Sequence, residues 1–136
     1  MKPVKRSSKQ IQILDYNPPV DPAAMEQPTD PAAFLRRGYA YYGTSQYEKA
    51  NEDFRRALDL DPTTVDAVYG LGMSLKSLAK KEEAVAAFTK AIGLIDQGII
   101  SDKSRARILR RLALGHINEI NTGDWNLEAE IWQRIS

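Results

Sequence analysis

Residues 30–62 read DPAAFLRRGYAYYGTSQYEKANEDFRRALDLDP, and residues 63–96 read TTVDAVYGLGMSLKSLAKKEEAVAAFTKAIGLID. Four residues of the first copy recur in the second at an offset of 34 residues: Gly38 as Gly72, Ala50 as Ala84, Phe54 as Phe88 and Ala57 as Ala91. A fixed period of this size indicates a stacked array of helical hairpins, in which each unit buries its apolar face against its neighbour.

The composition of the whole chain narrows the classes of protein that it could be. Its 136 residues are 43% hydrophobic and 27% charged, with a net charge of +1, so no overall charge bias points to nucleic acid or a membrane. The chain has no cysteine, which excludes disulfides and thiolate metal sites and fits a reducing, cytoplasmic location. No apolar run approaches the length that a transmembrane helix needs, so we expect no membrane association.

Proline and aspartate mark the boundary between a tail and a helical domain. Four prolines fall between residues 18 and 28, and proline disfavours helix both at its own position and at the one before it. Asp30 followed by Pro31 is a strong start for a helix, because aspartate accepts an unpaired amide and proline lacks only a donor that the first turn does not use. We therefore predict an extended or disordered tail over residues 1–29 and one helical domain over residues 30–136, with units at about 30–62, 63–98 and, in divergent form, 101–136.

The apolar spacing also predicts the helices inside these units. Turn-forming residues at Gly43–Gln46 should end the first helix, and Pro62 should end a second helix over Tyr47–Leu60. Thr64 lies 34 residues after Asp30 and is expected to cap the third helix in the same way. Lys80–Glu82 is expected to form the turn before the fourth helix, and later helices are expected from Ser101 or Asp102 to about Asn121 and from Asp124 to Ile135.

These residues resemble the tetratricopeptide repeat, whose pattern is W-x2-L-G-x2-Y, then A-x3-F, then P. Matching residues in the first copy are Gly38, Tyr41, Ala50, Phe54 and Pro62, with Phe34 in place of tryptophan and Arg37 in place of leucine. Matching residues in the second copy are Leu71, Gly72, Ala84 and Phe88. Val68 stands in place of tryptophan, Leu75 in place of tyrosine and Asp96 in place of proline. In the third unit, only Leu114 and Gly115 match the pattern. The resemblance implies an all-α, right-handed solenoid of antiparallel helix pairs, whose first helices line a concave groove that binds peptides or protein segments.

The register of the repeat selects the residues that such a groove would present. They follow the Gly38-type glycine by one position or lie three or four residues away: Leu35, Tyr39, Tyr42, Tyr69, Met73, Lys76 and, less securely in the third unit, Leu112, His116 and Glu119. Some family members clamp a carboxylate here with Lys, Asn and Arg, and the apolar residues of this chain argue against that clamp. We expect an aromatic and apolar groove; the alternative is that the three tyrosines only pack between helices.

The chain shows no catalytic constellation. His116 is the only histidine, so neither a histidine cluster for zinc nor an acid–base relay is available. The GLGMS stretch at residues 70–74 lies within a predicted helix and is not a phosphate loop. We therefore predict a protein that is not an enzyme and needs no cofactor or metal.

One local excess of positive charge lies on the fifth predicted helix. Its members are Lys103, Arg105, Arg107, Arg110 and Arg111, of which Lys103, Arg107 and Arg110 follow helical spacing. They could be a solvated face or a site for acidic or phosphate-bearing partners, although no interleaved aromatic residue favours nucleic acid.

The main functional hypothesis is a scaffold that binds a protein or peptide segment in the groove. That segment could be its own tail around residues 11–20 or another copy of the chain. The alternative is a structural subunit that self-associates through the tail or the C-terminal helix. Weak binding of acidic partners through Arg105–Arg111 ranks third, and nucleic acid is an unlikely partner.

Overall fold

The structure, a computed structural model, describes residues 21–125, and within this part of the chain all regular structure is helical. The helices are α1 (Pro31–Gly43), α2 (Tyr47–Leu60), α3 (Val65–Ser77), α4 (Lys81–Asp96) and α5 (Lys103–Thr122). Each helix packs against the next in the chain, and α1 also contacts α3. The predicted stack of helix pairs is confirmed, and the bounds predicted for α2 are those observed.

Two helices begin at aspartate caps, and the one at Asp30 was predicted from the sequence. The Asp30 carboxylate accepts a hydrogen bond from the Ala33 amide at 2.8 Å, with Pro31 in the first helical position. At the start of α5, the Asp102 carboxylate accepts from the amides of Ser104 and Arg105. Because the first amides of a helix have no partner inside the helix, these carboxylates stabilise both starting turns.

The expected cap at Thr64 is wrong. Thr64 occupies the N-cap position of α3, but its side chain makes no capping bond. Its hydroxyl instead donates to the carbonyl oxygen of Asp61 at 2.8 Å. The Asp61 carboxylate also accepts hydrogen bonds from the amide and hydroxyl of Thr63. A hydrogen-bonded turn at residues 61–64 therefore precedes α3 in place of a side-chain cap.

The turns inside the first two units share an unusual backbone conformation. Ser45 and Ala79 both have a φ of 62°, and they lie 34 residues apart. This left-handed region is unfavourable for residues other than glycine. The same costly turn in both units shows that the repeat extends to the backbone of the turns.

Two phenylalanines and three glycines account for the close packing of the helix pairs. Phe54 and Phe88 are fully buried. A Cβ added to Gly38 would lie 2.8 Å from the Phe54 ring, and one added to Gly72 would lie 2.9 Å from the Phe88 ring. Gly70 of the next unit meets Phe54 in the same way, at 2.6 Å. The absence of a side chain at these three glycines therefore lets the helices approach closely.

A partly buried ion pair joins α1 to α2 where Arg37 departs from the repeat pattern. The Arg37 guanidinium donates two hydrogen bonds to the Asp53 carboxylate, each of 2.8 Å. The second unit carries Leu71 and Ala87 at the corresponding positions. One unit therefore closes its helix pair with charges and the other with apolar side chains.

The chain before α1 is more structured than the predicted tail. Residues Pro22–Ala24 form a 3₁₀ turn, which Asp21 caps, and Pro22 and Pro28 are buried. The rest of the predicted tail, residues 1–20, lies outside the described residues. So does the expected last helix, apart from its start at Asp124 and Trp125, and the division into tail and domain stays a prediction.

The third unit is described only through its first helix. As predicted, α5 ends at Thr122 and Gly123, where Gly123 has a φ of 79°. Trp125 then folds back on the helix, and its ring occupies the space that a Cβ on Gly115 would fill. The Asn118 side-chain amide donates to the Trp125 carbonyl oxygen at 3.1 Å. Gly115 thus has the close-packing role in this unit that Gly38 and Gly72 have in the others.

Candidate functional site

One face of α5 turns toward α3, as three side-chain contacts show. Arg105 pairs with the carboxylate of Asp66. Three turns of helix further on, His116 hydrogen-bonds to both Tyr69 and Lys76, and Glu119 pairs with Lys76. Arg105, His116 and Glu119 therefore lie on one face, which we call the groove face of α5.

Two exposed apolar side chains lie on the groove face between these contacts. Ile108 and Leu112 continue the helical spacing from Arg105 to His116, so they project from the same face. Ile108 is 60% exposed and Leu112 is 36% exposed. The groove face therefore consists of an open apolar strip with an interhelical ion pair at each end.

The tyrosines of α1 are used partly for packing. The Tyr39 hydroxyl donates to the Asp66 carbonyl oxygen at 2.7 Å, and its ring meets Phe54 edge-on with centroids 4.9 Å apart. Burial raises the pKa of this hydroxyl. Tyr42 is half-buried against Tyr47. Tyr39 thus joins the first unit to the second.

His116 lies at the centre of an aromatic cluster. Its ring stacks on Phe88 with centroids 4.7 Å apart and meets Trp125 edge-on at 4.8 Å. Its Nε2 lies 3.1 Å from the Tyr69 hydroxyl and its Nδ1 lies 3.0 Å from the Lys76 ammonium. Burial and the neighbouring Lys76 lower the pKa of His116 to about 4, so the imidazole is neutral at physiological pH.

The tetratricopeptide repeat family matches residues 31–64 and, again, residues 65–97. A protein of Methanocaldococcus jannaschii named TPR repeat-containing protein MJ1428 is 30% identical over 60 residues. This chain is a tetratricopeptide-repeat protein. The segment shared with that relative is 44% of this chain and 11% of the relative, so the chain spans only about a tenth of its length.

Tetratricopeptide repeats generally mediate protein–protein interaction, and the family typically consists of non-enzymatic scaffolds. Within residues 21–125, no three His, Asp or Glu side chains are grouped so that they could hold a metal ion. In the same range, no helix is long and apolar enough to cross a bilayer.

The structure brings some of the predicted groove residues of this tetratricopeptide-repeat protein into contact and leaves others apart. Tyr69, Lys76 and His116 meet directly, and Glu119 joins them through Lys76. Leu112 is exposed beside them. Leu35 and Met73 are partly buried and pack against the core. Binding by any of these residues stays a prediction.

Sequence reasoning missed three residues of this surface: Asp66, Arg105 and Ile108. The register selected only three positions on α5, all close to Gly115, and Ile108 and Arg105 lie one and two turns earlier. The spacing of residues 105, 108, 112, 116 and 119 would have found them, because it follows one face of a helix.

The predicted basic patch is divided by an ion pair. Arg110 donates to the carboxylate of Asp96 at 2.9 Å, although it was expected in one stripe with Lys103 and Arg107. Lys103, Arg107 and Arg111 are exposed. Acidic residues on the neighbouring helices thus offset part of the charge that α5 carries, since Arg105 also pairs with Asp66.

Acidification from pH 6.5 to about 5 is expected to destabilise the protein through His116. The unfolded chain takes up a proton in this window, whereas the folded protein, with its lowered pKa, does not, so stability is lost as pH falls. The groups that face the ring are Lys76 from α3, Glu119 from α5 and the uncharged Tyr69. Because the ring is only half-buried, we expect a loss of about 1 kcal/mol.

Urea unfolding at the two pH values measures this loss. His116→Gln should flatten the dependence, because the chain has no other histidine. An unchanged slope in that variant would show that another group is responsible.

Proposed function

We propose that this protein is a non-enzymatic scaffold that holds an extended segment of a protein in the groove formed by α1, α3 and α5. The observation that carries the proposal is the exposure of Ile108 and Leu112 on the groove face of α5. Among residues 21–125 the large hydrophobic side chains that are exposed are Leu60, Ile99, Ile108 and Leu112. Two of the four are adjacent on one helical face, and that face also carries the contacts to α3.

The neighbouring groups suit a protein ligand better than a small polar one. Tyr69 and Met73 lie one turn apart on α3, on either side of Gly72, and both are only partly buried. Tyrosine combines apolar contact area with a hydrogen-bonding tip, and methionine adapts its shape to irregular surfaces. A segment with apolar side chains would cover Ile108 and Leu112 and remove their apolar area from water.

Selection of random linear peptides displayed on phage, followed by measurement of the affinity of the best binder, tests this proposal. Ile108→Asp should weaken binding tenfold or more, because it places a charge in the centre of the apolar strip. Leu60→Asp is the matched control, since Leu60 is 54% exposed but lies on α2, outside the groove. If both variants bind like the wild type, the groove is not the binding surface.

The chain's own residues 11–20 (IQILDYNPPV) are one candidate occupant, because they combine aliphatic residues with prolines. A synthetic peptide of this sequence tests that occupant directly, and light scattering separates binding within one chain from binding between copies. A defined oligomer that Ile108→Asp leaves intact would instead favour the self-associating subunit. The expected cytoplasmic location is a further part of this proposal, as is the absence of enzymatic activity.

A further inference from the structure

A chain of hydrogen bonds runs from the edge of the groove to the hydroxyl of Tyr69. The Glu119 carboxylate accepts from the Lys76 ammonium, which also contacts His116 Nδ1 at 3.0 Å. On the other side of the imidazole, Nε2 lies 3.1 Å from the Tyr69 hydroxyl. The chain crosses between α5 and α3 at each step, so it links the two walls of the groove.

The chemistry of these groups assigns every proton along the chain. A lysine ammonium has only donors, so Nδ1 of His116 must be the acceptor. A neutral imidazole carries one N–H, which must then be on Nε2 and must donate to the Tyr69 oxygen. His116 is neutral because burial and Lys76 lower its pKa to about 4. The Tyr69 hydroxyl hydrogen is therefore not used in the bond to His116.

That hydrogen has no acceptor in the part of the chain that the structure describes. Tyr39 differs in this respect, because its hydroxyl hydrogen is bonded to the Asp66 carbonyl oxygen at 2.7 Å. Tyr69 is partly buried beside His116 and Phe88, on the helix whose contacts define the groove. A hydroxyl in such a position is available to donate to a ligand.

We propose that Tyr69 is a ligand-binding donor, which gives its hydroxyl hydrogen to a main-chain carbonyl oxygen of the bound segment, and that His116 is the positioning residue that directs it there. This assignment rests on the proposed groove. Lys76, which is itself paired with Glu119, holds His116 in the tautomer that the arrangement needs, because the bond made by one ring nitrogen decides which nitrogen carries the proton.

The charges of the groove indicate that the part of the segment in contact is uncharged. The four charged side chains that cross between α3 and α5 form two pairs, Asp66 with Arg105 and Lys76 with Glu119. Their sum is zero, and a charged ligand group at either end would have to compete with a partner already in place. The segment is therefore expected to present apolar side chains to Ile108 and Leu112 and a carbonyl oxygen to Tyr69.

The tautomer can be tested without any ligand. The chain has one histidine, so a nitrogen NMR spectrum of labelled protein reports its two ring nitrogens without overlap. At neutral pH we expect a protonated Nε2 and an unprotonated Nδ1. Protonation at Nδ1 would overturn the assignment of Tyr69 as a donor, whatever the groove binds.

Binding of the best display-selected peptide tests the role of Tyr69. Tyr69→Phe removes one hydroxyl and should weaken binding about three- to tenfold. Tyr47→Phe is the matched control: Tyr47 lies on α2, outside the groove, and its hydroxyl bonds to the Ser45 hydroxyl, so the affinity should stay within about twofold of the wild type. Equal affinities for wild type and Tyr69→Phe would refute the donor.

The role of His116 is tested with two replacements. His116→Phe keeps a ring against Phe88 but loses the N–H, so it should bind the peptide more weakly than wild type. His116→Gln keeps one acceptor and one donor and should recover part of that loss. If both variants bind as tightly as wild type, His116 does not position Tyr69. If no library peptide binds even the wild type, the groove is refuted and this assignment falls with it.

Discussion

Phe54→Ala is expected to lower the free energy of unfolding by about 3–5 kcal/mol, the range measured for removing a large buried ring. Phe54 is completely buried on α2, and its ring lies against Gly38 of its own unit and Gly70 of the next. Tyr39 meets the same ring edge-on. The substitution therefore removes contacts within the first unit and between the first two units at once.

Urea or thermal unfolding followed by circular dichroism measures this loss. Leu60→Ala on the same helix is the control, because Leu60 is 54% exposed and its removal should change stability by less than about 0.5 kcal/mol. A domain of ordinary stability has only about 5–15 kcal/mol available, so Phe54→Ala should unfold at a clearly lower temperature or not fold at all. A melting temperature equal to that of the wild type would contradict the packing of this ring.

If Phe54→Ala does not fold, two milder substitutions test the same contact. Gly70→Ala alone should be destabilising, because its Cβ would lie 2.6 Å from the Phe54 ring. Combined with Phe54→Leu, the same alanine should cost less than it does alone, since the shorter side chain leaves room for it. Additive effects of the two substitutions would show that ring and glycine do not share the space.

The repeat made the helices predictable, because its period fixes which residues recur on the buried face. Phe54, Phe88 and the glycines Gly38 and Gly72 could be assigned from the sequence, and so could the ends of α2, since Pro62 lies two residues after its last residue, Leu60. The cap at Thr64 could not, because a hydroxyl can bond either to the helix or to the preceding turn. The left-handed backbone at Ala79 has no sequence signal, since alanine does not favour that conformation.

The groove was only partly predictable, because residues far apart in sequence decide how its side chains pair. The register placed Lys76 and His116 on groove positions, but not in contact with each other. The contact depends on the distance between α3 and α5 and on the rotamers of long side chains. The same holds for Arg105 with Asp66 and for Arg110 with Asp96, which remove charge from a helix that looks uniformly basic in sequence.

The ion pair between Arg37 and Asp53 is expected to show strong coupling between its two members. Side-chain exposure is 17% for Arg37 and 4% for Asp53, so loss of either partner leaves a charge in a poorly solvated position. Arg37→Leu should lower the free energy of unfolding by about 3 kcal/mol, because it leaves the more deeply buried carboxylate without its two hydrogen bonds. Asp53→Ala should cost less, about 2 kcal/mol, since the longer arginine can reach solvent.

The double variant Arg37→Leu/Asp53→Ala carries the pair that the second unit already uses, Leu71 with Ala87. Because a buried ion pair can often be replaced as a whole by apolar residues, we expect this variant to unfold within about 1 kcal/mol of the wild type. The result would be a double-mutant coupling of several kcal/mol, measurable by urea unfolding of the four proteins. Arg110→Leu serves as the exposed control: Arg110 pairs with Asp96 at the surface, and its replacement should cost less than about 1 kcal/mol. If the double variant loses as much free energy of unfolding as the two single variants together, the first unit cannot replace its ion pair with the apolar pair of the second unit.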